Sequence, residues 1–572
     1  MVRDQSKPSR SEITQQLIGP GCPFEIEEVI ISGRPVRTWK RCLPSIRALW
    51  EHSRAYADRD YLVYENERLS YEDAFQKSVS LAHELVTHFG IKKGDRVAIA
   101  MRNYPEWPIS FWAAASIGAI VVPLNAWWQS EELAYGLDDS GSSLLIADEA
   151  RAELVAPALA ARPSLREILV ARPHSALPPG CQPYPEASLS PEAALPPVIL
   201  GPEDEATLFY TSGTTGRPKG ALGTHRNLCN NVVSSEFANA YKKLRQGLAL
   251  DTPNKSTDPP PPFHALISVP FFHVTGCHGT LATHTAGGNK LVMMHKWDPE
   301  RALDLIECEK INGFGGVPSM VWQVLESPSF KTRDTSSLTT VSYGGAPAAP
   351  ELVRRIVDEF GEHSASQGYG MTETSSMTTV ITGEDYEKNP DSIGPPVPVC
   401  EVKVVDQEGR TLSPGETGEL CIYGPNLVKR YWNKPEATAE TFVDGWCHSG
   451  DIAKIDEEGL VFLVDRAKDM VIRGGENIYC VEVENMLFSH PDVMDAAVVG
   501  IPERILGEEV GAAVQIRPGK QLSEAILRQY MKNHLAAYKV PIRILIGRDP
   551  LPRNANGKIL KTEIKRRLAD PV

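Results

Sequence analysis

Between Tyr210 and Gly220 the chain reads YTSGTTGRPKG, which gathers the hydroxyl side chains of Thr211, Ser212, Thr214 and Thr215, the glycines Gly213, Gly216 and Gly220, and a single lysine, Lys219. Glycines let backbone N–H groups approach phosphate oxygens, hydroxyls add donors and the lysine adds charge, so this set could hold a phosphate chain. Its spacing does not fit GxxxxGK(S/T), which disfavours kinases and ordinary P-loop ATPases. Read alone, the same residues would also suit a Gly/Ser/Thr linker. Further on, Thr372 and Glu373 close the string QGYGMTE, a hydroxyl followed by a carboxylate. Hard oxygen ligands of this kind suit Mg²⁺ on phosphates, although Glu373 by itself reads as a solvated surface carboxylate. Asp451, in HSGD, is an acceptor-only group; with Arg466 it could equally form a plain surface ion pair. Lys558, in PRNANGKILK, sits on a stretch rich in Asn and Gly, where an exposed lysine of a basic tail is the simpler reading.

The elements that must position these residues belong to a long chain. At 572 residues it exceeds what one hydrophobic core usually spans, so two or more domains are expected. Its 42% hydrophobic and 23% charged content is that of a soluble globular protein. A net charge of −14, from 73 acidic against 59 basic residues, argues against a broad nucleic-acid surface. The ten cysteines are scattered without a CxxC pair or zinc-ligand spacing, as expected of reduced thiols in a cytoplasmic protein. The N-terminal MVRDQSKPSRSEITQQ reads as a mobile polar tail with no signal peptide. The apolar stretch 108–124 is short of the ~20 residues of a membrane span. It reads as a buried helix running into a buried strand, so no transmembrane segment is expected.

Short Val/Ile/Leu runs (VAIAM at 97–101, AIVVPL at 119–124, SLLIAD at 143–148, EILVA at 167–171) alternate with helix-like segments, the pattern of parallel sheets covered by helices. TPNKSTDPPPP at 252–262 interrupts it as a surface insertion or loop. From about Ile393 to Asp465, short strands with close turns suggest a compact β-subdomain. Strand-like DAAVVGI and GAAVQI follow, then a helix candidate from Ser523 to His534 with Ile526, Leu527, Tyr530 and Met531 on one face. This suggests a small α+β domain of about a hundred residues.

The phosphate-loop string resembles the signature of the adenylate-forming superfamily: acyl-CoA synthetases, aryl-CoA ligases, peptide-synthetase adenylation domains and luciferases. Other strings follow in that family's order: NYPEWP at 103–108, PFFHVTG at 270–276, YGGAP at 343–347, QGYGMTE at 367–373, HSGD at 448–451, DRAKDMVIRGGENIY at 465–479 and PRNANGKILK at 552–561. The resemblance implies an α/β fold, with a large domain over 1–465, built from two α/β subdomains and a β-barrel-like subdomain, and a small mobile α+β domain over 466–572. It places Lys558, Thr372 and Glu373 in catalysis, with Glu373 on Mg²⁺ and Thr372 on the α-phosphate. ATP would be held by Thr211, Ser212, Gly213, Thr214, Thr215, Gly216, Lys219, Gly345, Ala346, Pro347, Gly368, Tyr369, Gly370, Thr372, Asp451, Arg466 and Lys558. His273, Gly344 and Gly370 would border the acid, Gly475 the coenzyme A tunnel, and Lys468 would be the hinge. Some members carry an arginine where this chain has Asn477, which puts a phosphate contact there in doubt.

The implied reaction joins a small-molecule carboxylic acid, ATP and CoA through an acyl-adenylate. Phe272 and His273 stand where amino-acid-activating relatives commonly place an aspartate, and the stretches 270–278, 315–320 and 343–347 are rich in Phe, Val, Gly and Pro. These features suit a medium- or long-chain fatty acid, with an aryl acid second. A carrier-protein thiol as acceptor, a luciferase-type oxidation and a homodimer all remain open at the level of sequence. Three histidines, His273, His278 and His284, lack the Cys or carboxylate that would complete a metal cluster.

Overall fold

The computed structural model describes residues 8–162, 164–185, 193–211, 217–250, 261–345, 350–474, 476–554 and 557–569. Two eight-stranded sheets dominate it. The first runs in the order Arg430–Tyr431, Gly220–Thr224, Glu205–Tyr210, Ile120–Pro123, Arg96–Ala100, Leu144–Asp148, Glu167–Ala171, Cys181–Pro183. From Glu205–Tyr210 to Cys181–Pro183 the pairing is parallel, and the other two strands add antiparallel. In the second, Ala365–Tyr369, Thr340–Tyr343, Gly313–Gly316, His264–Ile267, Lys290–Met293 and Asp60–Tyr64 are parallel, flanked by antiparallel Thr379–Thr382 and Glu67–Ser70.

Side-chain alternation decides how the two sheets stack. Val97, Ile99, Leu144 and Ile146 of the first sheet share a core with Leu62, Ile267, Leu291 and Met293 of the second and with the helices Tyr71–Thr87 and Glu106–Ser116 between them. Their neighbours one residue along, Ala98, Ala100, Leu145 and Ala147, face an outer layer with Leu133, Leu137 and Ala152. Val63, Leu266 and Val292 likewise face an outer layer with Leu303, Ile306 and Leu352. Strands buried on both faces therefore need unbroken apolar runs, which is why the 97–101 and 143–148 segments are legible. The helix Glu106–Ser116 (EWPISFWAAAS) is buried from Trp107 onward, and Glu106, at its start, is paired by Arg172 at 2.9 Å. Trp112 stacks on Trp50 with centroids 4.9 Å apart and donates its indole N–H to the Tyr61 hydroxyl at 3.0 Å. Each such buried aromatic contributes on the order of 2 kcal/mol relative to exposure.

The N-terminal segment departs from the tail expected of it. Arg10–Ile18 is a helix whose Ser9 and Glu12 form a reciprocal capping box. Ile13 and Leu17, four apart, bury one face against Phe24, Trp39 and Phe237. A polar composition hid a two-residue apolar stripe.

An antiparallel sheet follows the large sheets: Glu401–Val405, Thr417–Tyr423, Trp446–Ile455 and Phe442–Val443, with Val461–Arg466 on the other side of Trp446–Ile455. The last sheet pairs Glu476–Ile478, Val471–Arg473, Gly507–Ile516 and Val493–Glu503, with Arg543–Gly547 parallel to Gly507–Ile516, around its own core of Val483, Leu487, Val498, Val510 and Leu527. Its helix Glu524–Lys532 is capped by the Ser523 hydroxyl and buries Leu527 and Met531. Ile526, expected on the same face, is exposed, because a short helix on a sheet covers only a narrow stripe. Among the described residues no helix is long and apolar enough to cross a membrane. Residues 252–260 of the proline-rich stretch lie outside the described residues.

Candidate active site

In a parallel sheet the segments leaving the carboxyl ends of adjacent strands emerge side by side, which is where such folds place ligands. Here Ile267 leads to the 270–276 segment, Gly316 to Val317, Tyr343 to Gly344 and Gly345, and Tyr369 to Gly370 through Glu373. The Gly344 amide donates to the Gly316 carbonyl at 3.0 Å, tying two of these exits together. Thr211 and Lys219 leave and re-enter the other sheet, joined by Thr211 N–H donating to the Lys219 carbonyl at 2.9 Å. His273 is half-buried, its ring 5.5 Å from that of Phe272. Phe271 and Phe272 are buried beneath it.

Thr372–Thr374 forms one 3₁₀ turn, after which Ser375 and Ser376 adopt φ of 50° and 97°. Such left-handed serines store strain, which the surrounding hydrogen bonds must offset. The turn closes so tightly that a Cβ on Gly370 would lie 1.3 Å from the Ser376 carbonyl oxygen. Only glycine fits there.

Glu373 is buried, and its carboxylate accepts a 2.5 Å hydrogen bond from the Tyr431 hydroxyl. The Tyr431 ring lies under Lys219, whose Nζ is 4.2 Å from its centroid. Burial and the adjacent Glu373 raise the Tyr431 hydroxyl's pKa, which keeps it a donor. Tyr431 was not singled out from the sequence. Its role depends on pairing with Ala221 across 210 residues of chain, and the only local signal is an aromatic after a Gly/Pro/Asn turn.

Asp451 is buried and accepts from the Tyr369 hydroxyl at 2.6 Å, while Arg466 stands 3.2 Å away. The Asp451–Arg466 pairing is also a strand register, so the backbone aligns the two side chains. Asp465, next along, is pushed up to about 6 by burial, against Lys561 and the backbone N–H groups of Arg466 and Cys480 that it accepts at 2.7 and 2.5 Å.

Lys558 lies on the loop between Arg553 and Ile559, where its backbone N–H donates to the Asn554 side chain at 3.0 Å. Burial, with Arg466 and Lys468 nearby, lowers it to about 8, while Asp469 and Asp451 oppose that shift. The loop rests on the large sheets: a Cβ on Gly557 would come 2.6 Å from Val317 Cγ2. Arg517 of the last unit also pairs with Glu326 at 2.8 Å and covers the Trp322 ring. The pKa of Lys468 is lowered by desolvation of its ammonium and by the neighbouring Arg466. Asn477 pairs with Ile472 in a hairpin. The structure thus brings Lys558, Arg466, Asp451 and Tyr369 together at one place, and Glu373, Tyr431 and Lys219 at another. Gly368 directly precedes Tyr369, the last residue of the strand Ala365–Tyr369. Ser212, Gly213, Thr214, Thr215, Gly216, Ala346, Pro347 and Gly475 lie outside the described residues.

Strand-end loops, a hydroxyl–carboxylate turn and a lysine carried by a small C-terminal unit are parts that a nucleotide-dependent acid-activating ligase requires. The chain belongs to the AMP-binding enzyme family, within the adenylate-forming superfamily: the AMP-binding enzyme profile matches residues 49–432 and that of the AMP-binding enzyme C-terminal domain residues 482–558. It is 36% identical over 500 residues to a feruloyl-CoA synthase of an Amycolatopsis species, covering 87% of this chain and 94% of that one. It is 32% identical over 489 residues to the long-chain-fatty-acid–CoA ligase FadD13 of Mycobacterium tuberculosis, covering 84% and 90%. The ATP-bound crystal structure of MatB from Rhodopseudomonas palustris superposes with a TM-score of 0.78 at 28% identity, covering 92% of this chain and 99% of that one. The protein is an AMP-forming acid–thiol ligase, and membership of the family implies the use of ATP and CoA.

Proposed function

We propose that this ligase acts on a medium- or long-chain fatty acid, forming the acyl-adenylate on the large domain, residues 1–465, and the thioester after the domain 466–572 turns about Lys468. The observation that carries the choice of acid is the apolar wall around His273. Phe271, Phe272 and Val274 are buried there, and the following π-helical turn Thr275–Ala282 carries no carboxylate that could pair an α-amine. The described carboxylate nearest in the motif order, Glu373, is engaged by Tyr431.

In this reading the carboxylate attacks the α-phosphorus in line and pyrophosphate leaves. Lys558 offsets the repulsion between two anions, Lys219 and Thr211 hold the phosphate chain, and Asp451 accepts from the ribose hydroxyls. Tyr431 occupies one oxygen of Glu373, leaving a hard donor set of carboxylate and Thr372 hydroxyl that fits Mg²⁺. Glu373 would hold that ion, which when bound neutralises phosphate charge. The CoA thiolate then attacks the acyl carbonyl and AMP departs. Gly475 would border the path of the thiol arm.

Pyrophosphate release across saturated fatty acids of graded length, hydroxycinnamates and α-amino acids, followed by CoA or a phosphopantetheinylated carrier protein, tests the substrate and the acceptor. Fatty acids should lead and CoA should accept. Release confined to hydroxycinnamates would replace the first choice by an aryl acid, the reading favoured by the 36% identity to a feruloyl-CoA synthase. Transfer only to the carrier would overturn CoA as acceptor. Lys558→Ala should abolish adenylation yet spare thioesterification of a supplied acyl-adenylate; equal loss of both refutes the two-pose scheme.

A further inference from the structure

Within the antiparallel sheet, Thr417–Tyr423 and Trp446–Ile455 pair with Cys421 directly opposite His448. Residues two apart on a strand share a face, so Glu419 joins them there. A bulge between Glu419 and Cys421 in this register, with Gly450 at φ 71°, draws the two strands' side chains closer. One ligand atom from each of Glu419, Cys421 and His448 lies within 4.8 Å of the others.

We infer that Glu419, Cys421 and His448 form a binding site for a zinc-class divalent cation, distinct in its residues from the Mg²⁺ position at Glu373. The spacing supports it quantitatively. A tetrahedral ion with Zn–S of about 2.3 Å and Zn–N of about 2.05 Å separates sulfur and nitrogen by about 3.5 Å. Cys421 Sγ and His448 Nδ1 are 3.6 Å apart. For oxygen and nitrogen the same geometry gives about 3.3 Å, whereas Glu419 Oε2 and His448 Nδ1 are hydrogen-bonded at 2.8 Å. An ion therefore needs a displacement of about 0.5 Å, within a rotamer's reach.

Donor chemistry sets the class of ion: thiolate and imidazole select zinc-type metals over magnesium or calcium. The other Glu419 oxygen accepts the Gly450 N–H at 3.0 Å, an outer contact that orients the carboxylate. His448 and Glu419 keep 26% and 31% of their side-chain surface exposed, which provides an entry path and leaves a fourth position for water. Cys421 closes the inner side, fully buried.

Cobalt(II) titrated into the full-length, reduced, chelator-treated chain reads the site directly. One equivalent should give tetrahedral d–d bands and a thiolate-to-cobalt charge-transfer band, both displaced by zinc. Cys421→Ser should lose the charge-transfer band, and His448→Gln should weaken binding at least about tenfold. Zinc-edge X-ray absorption on the unmodified chain, which depends on no variant's folding, should show one sulfur near 2.3 Å with nitrogen and oxygen neighbours. Absence of sulfur from that shell, or a cobalt spectrum unchanged by Cys421→Ser, would overturn the site and leave Glu419–His448 as an ion pair bracing the bulge.

Discussion

Replacing Gly370 by alanine tests whether the rigid turn between Tyr369 and Ser376 positions Thr372 and Glu373. The added Cβ would lie 1.3 Å from the Ser376 carbonyl oxygen and 2.5 Å from its carbon. Both are backbone atoms, so no rotamer change relieves the overlap. Reaching 3.0 Å requires the two strands of the turn to separate by about 1.7 Å. The turn resists, since Met371 N–H donates to Thr374 Oγ1 at 2.9 Å and Thr378 N–H to the Tyr369 carbonyl at 2.8 Å. Overpacking of this kind costs about 1–3 kcal/mol. A displacement above 1 Å at reacting groups costs on the order of a hundredfold in rate. The expected outcome is a folded enzyme with a lowered Tm and kcat for pyrophosphate release down about a hundredfold, measured at saturating ATP and acid. Retention of kcat within about threefold at an unchanged Tm would refute the claim that this close approach sets the geometry of Thr372 and Glu373.

Tyr431→Phe removes the 2.5 Å donor that orients Glu373. The Mg²⁺ concentration for half-maximal pyrophosphate release should rise roughly tenfold or more, and an unchanged Mg²⁺ dependence would show that the hydroxyl does not orient the carboxylate. Lys558, lowered to about 8, loses its charge as pH rises through that value. The kcat/KM for adenylation should therefore fall above pH about 8, and Lys558→Arg should move that limb beyond the accessible range. In the same sense, the folded state's penalty on this ammonium is present below pH about 8 and relieved above it, so a stability loss on raising pH there cannot come from Lys558. Leu17→Ala, at a fully buried position of the N-terminal helix, should cost about 2–5 kcal/mol in urea unfolding; no loss would mean the helix is not part of the folded core.

What the sequence determined by itself was whatever lies in consecutive residues. The runs at 97–101, 119–124, 143–148 and 167–171 became strands because burial on both faces demands continuous apolar side chains, a constraint each segment carries locally. Asp451, Glu373 and Lys558 were singled out through the strings around them, which record backbone requirements such as the close approach at Gly370. Tertiary structure alone decided the partnerships. Tyr431 meets Glu373 and Lys219 only because Arg430–Tyr431 adds to the edge of a sheet formed two hundred residues earlier. Glu419, Cys421 and His448 meet through strand register and a bulge, so a scan for cysteine spacing passes over them. The helix Arg10–Ile18 looked like a tail because two buried side chains in a polar segment gain their stability from a distant hydrophobic patch, not from each other. Local sequence fixes which backbone each segment adopts, but contacts across long stretches of chain depend on how the sheets stack, and no single segment contains that information.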